Sequence, residues 1–268
     1  MIVAALSAGD LDDFTAALDA EGAALDRTLT FEERRVVLAT TPTPADAGPV
    51  AHRLRRGGWH VVARPDGGAA LAAWRRDTEP VVVRDRLAVV VAWSEHDRPA
   101  VPLTVELAPG GFGNGHHPTT RLLLDIAVDT VRGGEQVLDV GCGSGVLGLA
   151  ALALGADRLT AIDIKPAAAD ATRAGAVLNG MHERVVVSTD APGSVGGSFD
   201  VVFANIAREG VAALAPELVA ATARGGRLIV SGVTPAQTDL IAGLLAPLEL
   251  IEARIDADWA ALVFSRQQ

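Results

Sequence analysis

A glycine-rich turn is the part of this sequence best suited to hold a ligand. Residues 137–140, apolar except for Asp139, predict a buried strand, and the apolar run at 146–154 predicts a helix. Between them glycine occupies every second position, at Gly141, Gly143 and Gly145. Glycine permits the unusual dihedral angles of a tight strand-to-helix turn and lets a ligand lie against bare backbone. The N-terminus of the following helix then offers free N–H groups to that ligand.

Two polar residues stand where later strands end. Asp163 lies 18 residues after Gly145, in a strand predicted at 159–164, and a carboxylate there can accept hydrogen bonds from both hydroxyls of a ribose. The alternative is an aspartate that only precedes a helix begun by Pro166, but the spacing favours ribose binding. Asn205 follows a strand predicted at 200–204. Its carboxamide either accepts a hydrogen bond from a substrate amine or is an ordinary turn asparagine, and the spacing leaves both readings open.

His116 and His117 are adjacent on a predicted loop. Neighbouring histidines cannot easily share one ion, and no acidic or histidine partner stands nearby at a recognisable spacing. We therefore predict no metal site and assign His117 a role in orienting the loop. The apolar pattern at 122–131 predicts a helix after this loop, with Thr119 or Thr120 as its N-cap.

The composition predicts an acidic protein with a large core. Of the 268 residues 49% are hydrophobic, and the formal net charge is −10. An acidic chain lacks the basic face that binding to a phosphate backbone requires, so we expect no nucleic-acid partner and favour a basic substrate such as a Lys-rich protein segment. Cys142 is the one cysteine, which excludes a disulfide framework and favours the cytoplasm. No run approaches the ~20 apolar residues of a membrane span.

The order of predicted elements divides the chain into two domains. Residues 1–79 predict a small α+β unit that could recognise a substrate. Its predicted helices, strand and hairpin turn lie at residues 11–25, 45–56, 35–38 and 65–68. From residue 80 to residue 268 strands alternate with helices, which specifies a parallel sheet covered on both faces. Two last runs, 248–255 and 259–265, predict an antiparallel pair that closes this sheet.

Several separate motifs agree in order and spacing with one family. They are FGNGHHPTT at 112–120, VLDVGCGSG at 137–145, AIDI at 161–164, ANI at 204–206, SGV at 231–233 with Gln237, and Trp259. The D-x-G-x-G-x-G pattern is similar to motif one of class I S-adenosylmethionine (SAM) methyltransferases, whereas a dinucleotide fingerprint would need glycine in place of Val146. Over about residues 80–268 the motifs together resemble the PrmA-type methyltransferases, which trimethylate amino groups of large-subunit ribosomal protein eleven.

The resemblance implies a fold, a cofactor and a set of binding residues. The implied fold is an α/β, Rossmann-like class I methyltransferase domain, with a mostly parallel seven-stranded sheet whose last strand is antiparallel. The implied cofactor is SAM. The residues that fall on the family's SAM-contacting positions are Thr120, Gly141, Asp163 and Asn205, with Gly143 in the same loop. Asp139 would lie near the ammonium group of the ligand, and a segment with Phe112 and Gly113 would close over it.

The implied function is SAM-dependent methyl transfer to amino groups of a protein, a lysine side chain or an N-terminus, with a ribosomal protein as one candidate. Residues 1–75 do not match the family's substrate-recognition domain, so two alternatives stay open. One is a small-molecule N- or O-methyltransferase, and the other is a non-catalytic SAM-binding protein. We assign no catalytic residue, because an amine beside a cationic sulfonium in a desolvated pocket loses its proton without a strong base. Asn205 would orient that amine.

Overall fold

The computed structural model describes residues 2–7, 11–31, 34–41, 47–56, 61–63, 79–92, 94, 96–108 and 113–267. Helices and strands are numbered here in chain order within those residues. The chain forms two units, Met1–Asp77 and Thr78–Gln268. The predicted boundary lies after residue 79.

Within the described residues the first unit is a four-stranded antiparallel sheet with helices. Its elements are β1 (Ile2–Ser7), α1 (Leu11–Ala20), β2 (Ala24–Phe31), β3 (Arg34–Thr40), α2 (Ala47–Arg56) and β4 (Val61–Ala63). The βαββαβ connectivity and the strand order β2-β3-β1-β4 define a split βαβ arrangement. Phe14 and Leu18 on α1 and Val50 and Leu54 on α2 belong to one buried core.

Two predictions for this unit have a different outcome. The predicted helix at 11–25 is too long, because Gly22 takes a left-handed φ of 68° and Ala24 begins β2. Leu25 therefore lies on a strand and not on the helix. The hairpin turn predicted at 65–68 lies outside the described residues.

The second unit begins with a separate three-stranded sheet. Its strands are β5 (Val81–Val83), β6 (Leu87–Val91) and β7 (Leu103–Leu107). β6 pairs with β5 antiparallel and with β7 parallel. This sheet is separate from the large one because none of its strands pairs with a strand of that sheet within the described residues.

The seven-stranded mixed sheet that was predicted is confirmed in the second unit. The elements after β7 are α3 (Pro118–Thr130), β8 (Gln136–Val140), α4 (Val146–Ala153), β9 (Arg158–Ile162), α5 (Pro166–Leu178), β10 (Val185–Ser188), α6 (Pro192–Val195), β11 (Phe199–Asn205), α7 (Arg208–Ala221), β12 (Thr222–Val233), α8 (Thr238–Leu244), β13 (Glu249–Asp256) and β14 (Trp259–Ser265). The strand order is β10-β9-β8-β11-β12-β14-β13. β14 runs antiparallel to both of its neighbours, and the pairs from β10 to β12 are parallel.

Apolar cores cover both faces of this sheet. Side chains alternate along each strand, so Val137 and Phe203 belong to the core that includes α3 and α4. Leu138 and Val202 belong to the core that includes α7 and α8. Burial on both faces explains why the strands are almost continuously apolar in sequence.

β12 spans Thr222–Val233 and contains Gly225 and Gly226. The Gly225 N–H donates to the Arg266 carbonyl, and the Arg266 N–H donates to the Gly226 carbonyl, at 2.9 and 3.2 Å. The glycines therefore form a kink inside a paired strand.

An ion-pair network joins three elements of the second unit. Arg84, in the turn after β5, contacts Asp125 and Asp129 on α3, with Nη2 2.8 Å from Asp125 Oδ2. Arg254 on β13 contacts the same two carboxylates, with Nη2 2.8 Å from Asp129 Oδ2. The hydrogen bond from Arg254 lowers the pKa of Asp129. Two guanidinium groups thus hold α3 between the small sheet and the edge of the large one.

Candidate cofactor cleft

A cavity of about 690 Å³ opens where several parallel strands end. Val140, Ile162 and Ala204 are paired across β9, β8 and β11, so these strands finish at the same level. Open α/β sheets bind their ligands at this carboxyl edge. The predicted binding residues that line the cavity are Thr120, Gly141, Gly143, Asp163 and Asn205.

The glycine loop needs glycine for two reasons. Gly141 and Gly145 have left-handed φ angles of 74° and 80°, which strain any residue with a Cβ. A Cβ on Gly141 would also lie 2.6 Å from Cγ2 of Ile206, and one on Gly145 would lie 2.8 Å from Cγ2 of Thr172. The loop therefore leaves its backbone bare on the cleft side.

Most N–H groups of this loop bind protein atoms. The Gly141 and Cys142 N–H groups donate to the Ile162 carbonyl at 2.8 and 3.0 Å, and the Gly143 N–H donates to Oδ2 of Asp163 at 3.1 Å. These bonds attach the loop to the end of β9. In the first turn of α4 the Gly148 N–H binds Asp139, so the N–H groups that can face a ligand there are those of Val146 and Leu147, which line the cleft.

Asp163 is held between two backbone donors. Its Oδ2 accepts the Gly143 N–H, and its Oδ1 accepts the Lys165 N–H at 2.9 Å. The residue is half-buried and lines the cleft. Because each carboxylate oxygen has a second lone pair, both can still accept a hydroxyl group. This geometry is compatible with the predicted ribose contact.

Asp139 lies behind the glycine loop and does not line the cleft. Its side chain is 1% exposed, and its Oδ2 accepts the Gly148 N–H at the start of α4 at 3.0 Å. Its Oδ1 has no hydrogen-bond partner among the residues that the structure describes. Burial raises the pKa of the carboxyl to about 7. Asp139 thus fixes the start of α4, and its contact with a ligand ammonium group stays a prediction.

Asn205 and Thr120 are brought together although 85 residues separate them. Asn205 is the last residue of β11, and its Nδ2 donates to Oγ1 of Thr120 at 3.2 Å. Thr120 is 4% exposed and lies in the first turn of α3. A residue predicted to meet the substrate and one predicted to meet the cofactor are therefore in direct contact.

The N-cap prediction for α3 was wrong. Thr119 and Thr120 lie inside the helix, which begins at Pro118, and the cap is His117. Nδ1 of His117 accepts the Thr119 N–H at 3.4 Å and lies 2.8 Å from Thr119 Oγ1. Proline favours the first position of a helix, which moves the start back from the threonines.

An aromatic pair at the cleft was not foreseen. The rings of His117 and Trp259 meet edge to face, with centroids 5.2 Å apart and planes at 65°, and both line the cavity. His116 lies with Nε2 2.8 Å from the Glu79 carbonyl. No group of side chains able to hold a metal ion occurs within the described ranges.

Ile164 and Asp190 also line the cleft, although neither was predicted as a binding residue. Ile164 is 83% exposed, so it offers an uncovered apolar surface. Asp190 follows β10, and its Oδ2 accepts the Ser188 hydroxyl at 2.6 Å. The alternation of strands could have pointed to Asp190, because it follows a parallel strand as Asp163 does.

The segment before α3 is described only in part. Phe112 lies outside the described residues. Gly113 does not line the cleft, and its carbonyl accepts a hydrogen bond from the Ser144 hydroxyl. Cys142 faces Thr172, and burial raises the pKa of its thiol to about 12, so the sulfur is protonated and suited to packing.

This sheet and this cleft define the Rossmann-like methyltransferase class. The ribosomal protein L11 methylase of Lactobacillus delbrueckii subsp. bulgaricus superposes with a TM-score of 0.64 at 29% identity, over 71% of this chain and 100% of that one. The putative methyltransferase yhhF of Escherichia coli shares the fold with a TM-score of 0.52 at 17% identity, over 70% of this chain and 99% of that one.

The chain belongs to the ribosomal protein L11 methyltransferase (PrmA) family, whose model matches residues 69–267. It is 38% identical over 201 residues to the ribosomal protein L11 methyltransferase of Geobacter sp. (strain M21), and covers 65% of that relative with 72% of its own length. It is 35% identical over 239 residues to that of Bordetella bronchiseptica, covering 75% of it with 80% of its own length. The chain thus spans slightly less than two thirds of the Geobacter relative.

No helix in the described part of the chain has the length and apolar character needed to span a membrane.

Proposed function

We propose that this protein transfers methyl groups from SAM to amino groups of a protein, with ribosomal protein L11 as the first acceptor to test. The proposal rests mainly on the cleft. Asp163 follows β9 and Asn205 ends β11, the two strands that flank β8 and its glycine loop, and both residues line the cavity. Membership of the PrmA family, and relatives that are named ribosomal protein L11 methyltransferases, support the choice of acceptor. The acidic net charge of −10 also suits a basic protein segment.

The residues of the cleft fit SAM. Asp163 has acceptor lone pairs for the ribose hydroxyls, and a loop without Cβ atoms at Gly141 and Gly143 lets the ligand lie close to the backbone. The exposed apolar surface of Ile164 suits the face of an adenine ring. The carboxylate of Asp190 suits an exocyclic amino group. When bound, SAM supplies a methyl group on a sulfonium, which is open to attack by a neutral amine.

The chain's own residues then have to provide a neutral and aligned amine. An unperturbed lysine amine has a pKa near ~10.4, and an apolar wall and a nearby positive charge both lower it. Of the acidic groups at the cleft, Asp163 already binds two N–H groups and Asp190 binds Ser188. We therefore expect no dedicated base. The Asn205 carboxamide oxygen orients the amine, so its contribution is to hold the reacting groups in the right geometry.

The remaining assignments follow from the same proposal. Residues 1–79 recognise the acceptor, a role that their split βαβ arrangement leaves open to a protein or to a smaller molecule. The protein acts in the cytoplasm, where ribosomal proteins are available. We expect neither a nucleic-acid nor a membrane partner, on the basis of the acidic charge.

A labelling experiment tests the proposal. Purified full-length protein is incubated with methyl-labelled SAM and with recombinant L11, whole ribosomes or cell lysate from its own source. Label in the L11 band supports the proposal. Label in a small-molecule fraction alone would favour the small-molecule alternative, and tight binding of SAM without any transfer would favour a non-catalytic SAM-binding protein.

A further inference from the structure

We propose that Thr120 is a positioning residue, whose hydroxyl group fixes the orientation of the Asn205 carboxamide toward the acceptor amine. This inference rests on the proposed function, because it concerns the amine that Asn205 receives. It assigns Thr120 a role besides the cofactor contact that the family resemblance implies.

Both partners of the Thr120–Asn205 hydrogen bond are held by regular structure. Asn205 is paired with Ser231 in the parallel β11–β12 ladder. Thr120 lies in the first turn of α3, is 4% exposed, and follows the His117 cap. The 3.2 Å bond from Nδ2 to Oγ1 therefore joins two elements that cannot easily move apart.

With Nδ2 bonded to Thr120, Oδ1 is the carboxamide atom that is available to a ligand. The group is planar, so Nδ2 toward Thr120 turns Oδ1 away from it. Oδ1 accepts no hydrogen bond among the described residues, and it is not buried. Because Asn205 lines the cleft, this oxygen is the atom that an incoming group meets.

The orientation matters for attack by an amine. An oxygen acceptor binds an N–H of the neutral amine and leaves its lone pair free. The reversed carboxamide would present N–H donors, which bind the lone pair and block attack. Thr120 anchors the carboxamide, because its hydroxyl oxygen accepts Nδ2–H at 3.2 Å, whereas a valine of the same shape offers no hydrogen-bonding atom and leaves the group free to turn.

Kinetics of four variants test the inference. The variants are Thr120→Val, Thr120→Ser, Asn205→Ala and the double variant of Thr120→Val with Asn205→Ala, measured at saturating SAM. Thr160→Val on β9 is the matched control, since Thr160 is half-buried and does not line the cleft. Calorimetry gives the Kd of SAM for each, and thermal unfolding checks the fold.

We expect Thr120→Val to lower kcat at saturating SAM by about tenfold, the effect of one lost hydrogen bond, and to raise the Kd of SAM by a smaller factor through the cofactor contact. Thr120→Ser, which keeps the hydroxyl, should recover most of that loss. If Thr120 acts through Asn205, adding Thr120→Val to Asn205→Ala should change kcat by less than about twofold. Equal losses from Thr120→Val in both backgrounds, or a loss of SAM affinity as large as the loss of kcat, would overturn the inference.

A measurement without turnover keeps the test independent of the proposed function. The Asn205 side-chain NH2 signal in a ¹⁵N NMR spectrum is identified by its disappearance in Asn205→Ala. We expect slowed hydrogen exchange of this group in wild type and faster exchange in Thr120→Val. Unchanged exchange would refute the positioning role, whereas absent methyl transfer by wild type would refute only the proposed function.

Discussion

Asp163→Asn tests the cofactor cleft with the smallest chemical change, one carboxylate oxygen replaced by NH2. In wild type the two oxygens accept the Gly143 and Lys165 N–H groups at 3.1 and 2.9 Å. Asparagine has only one acceptor atom, so its NH2 faces one of these backbone donors whichever way the carboxamide turns. Either the glycine loop or the start of α5 loses a bond.

The expected magnitudes separate binding from folding. A hydrogen bond to a charged group contributes about 1.5–3 kcal/mol, and at least one ribose hydroxyl loses such an acceptor. The Kd of SAM should therefore rise roughly 10–150-fold. The half-buried backbone bond should cost about 1 kcal/mol of the free energy of unfolding, which leaves the protein folded.

Calorimetric titration with SAM and S-adenosylhomocysteine, next to urea unfolding, measures both quantities. Asp170→Asn is the matched control, because Asp170 lies on exposed α5 surface in an ion pair with Arg173 at 2.9 Å, a contact worth about 0–1 kcal/mol. Its Kd should stay within about twofold of wild type. A Kd of Asp163→Asn equally close to wild type, in a folded protein, would refute the ribose assignment.

Three further substitutions have definite expected outcomes. Gly141→Ala should lower the free energy of unfolding by about 2 kcal/mol or more, because the alanine would have a left-handed φ of 74° and a Cβ 2.6 Å from Ile206. Urea unfolding of the variant that matches wild type would contradict this. Asp139 has a pKa of about 7 in the folded protein against an ordinary 3.8, so the free energy of unfolding should fall between about pH 4 and about pH 7 as this carboxyl ionises. Asp139→Asn should therefore become more stable relative to wild type across that window. A stability difference between the two proteins that does not change with pH would contradict this. Arg254→Met should cost about 1–2 kcal/mol at pH 7 and less in high salt. The pKa of Asp129 is lowered in the folded protein, so the ion pair with Arg254 stabilises the fold above the ordinary pKa of an aspartate. The stabilisation disappears as the pH falls through the lowered pKa of Asp129. An equal cost of Arg254→Met at pH 7 and at pH 2 would contradict this.

The alternation of short apolar runs and helices was enough to predict the large sheet. Strands buried on both faces are largely apolar, and β8, β11 and β14 are mostly apolar in sequence. The glycine spacing also predicted the turn at Gly141, because few residues other than glycine accept the left-handed dihedral angles of that position.

Contacts distant in sequence could not be predicted. The bond between Thr120 and Asn205 and the ring contact of His117 with Trp259 depend on how α3 crosses the end of the sheet. The hydrogen bond between Asp139 and the start of α4 could not be predicted, because a strand residue can face either side and only the packing of α4 decides which. The prediction of Thr119 or Thr120 as the N-cap was wrong because the His117 ring takes the place of the expected hydroxyl.

The most direct test of the central claim is calorimetric titration of the purified chain with SAM, S-adenosylhomocysteine and NAD. A cleft that holds a nucleoside by Asp163 beside the glycine loop should bind SAM and S-adenosylhomocysteine, each at one site per chain, and give no heat with NAD. Binding of NAD by a protein that takes up neither SAM nor S-adenosylhomocysteine would contradict the account.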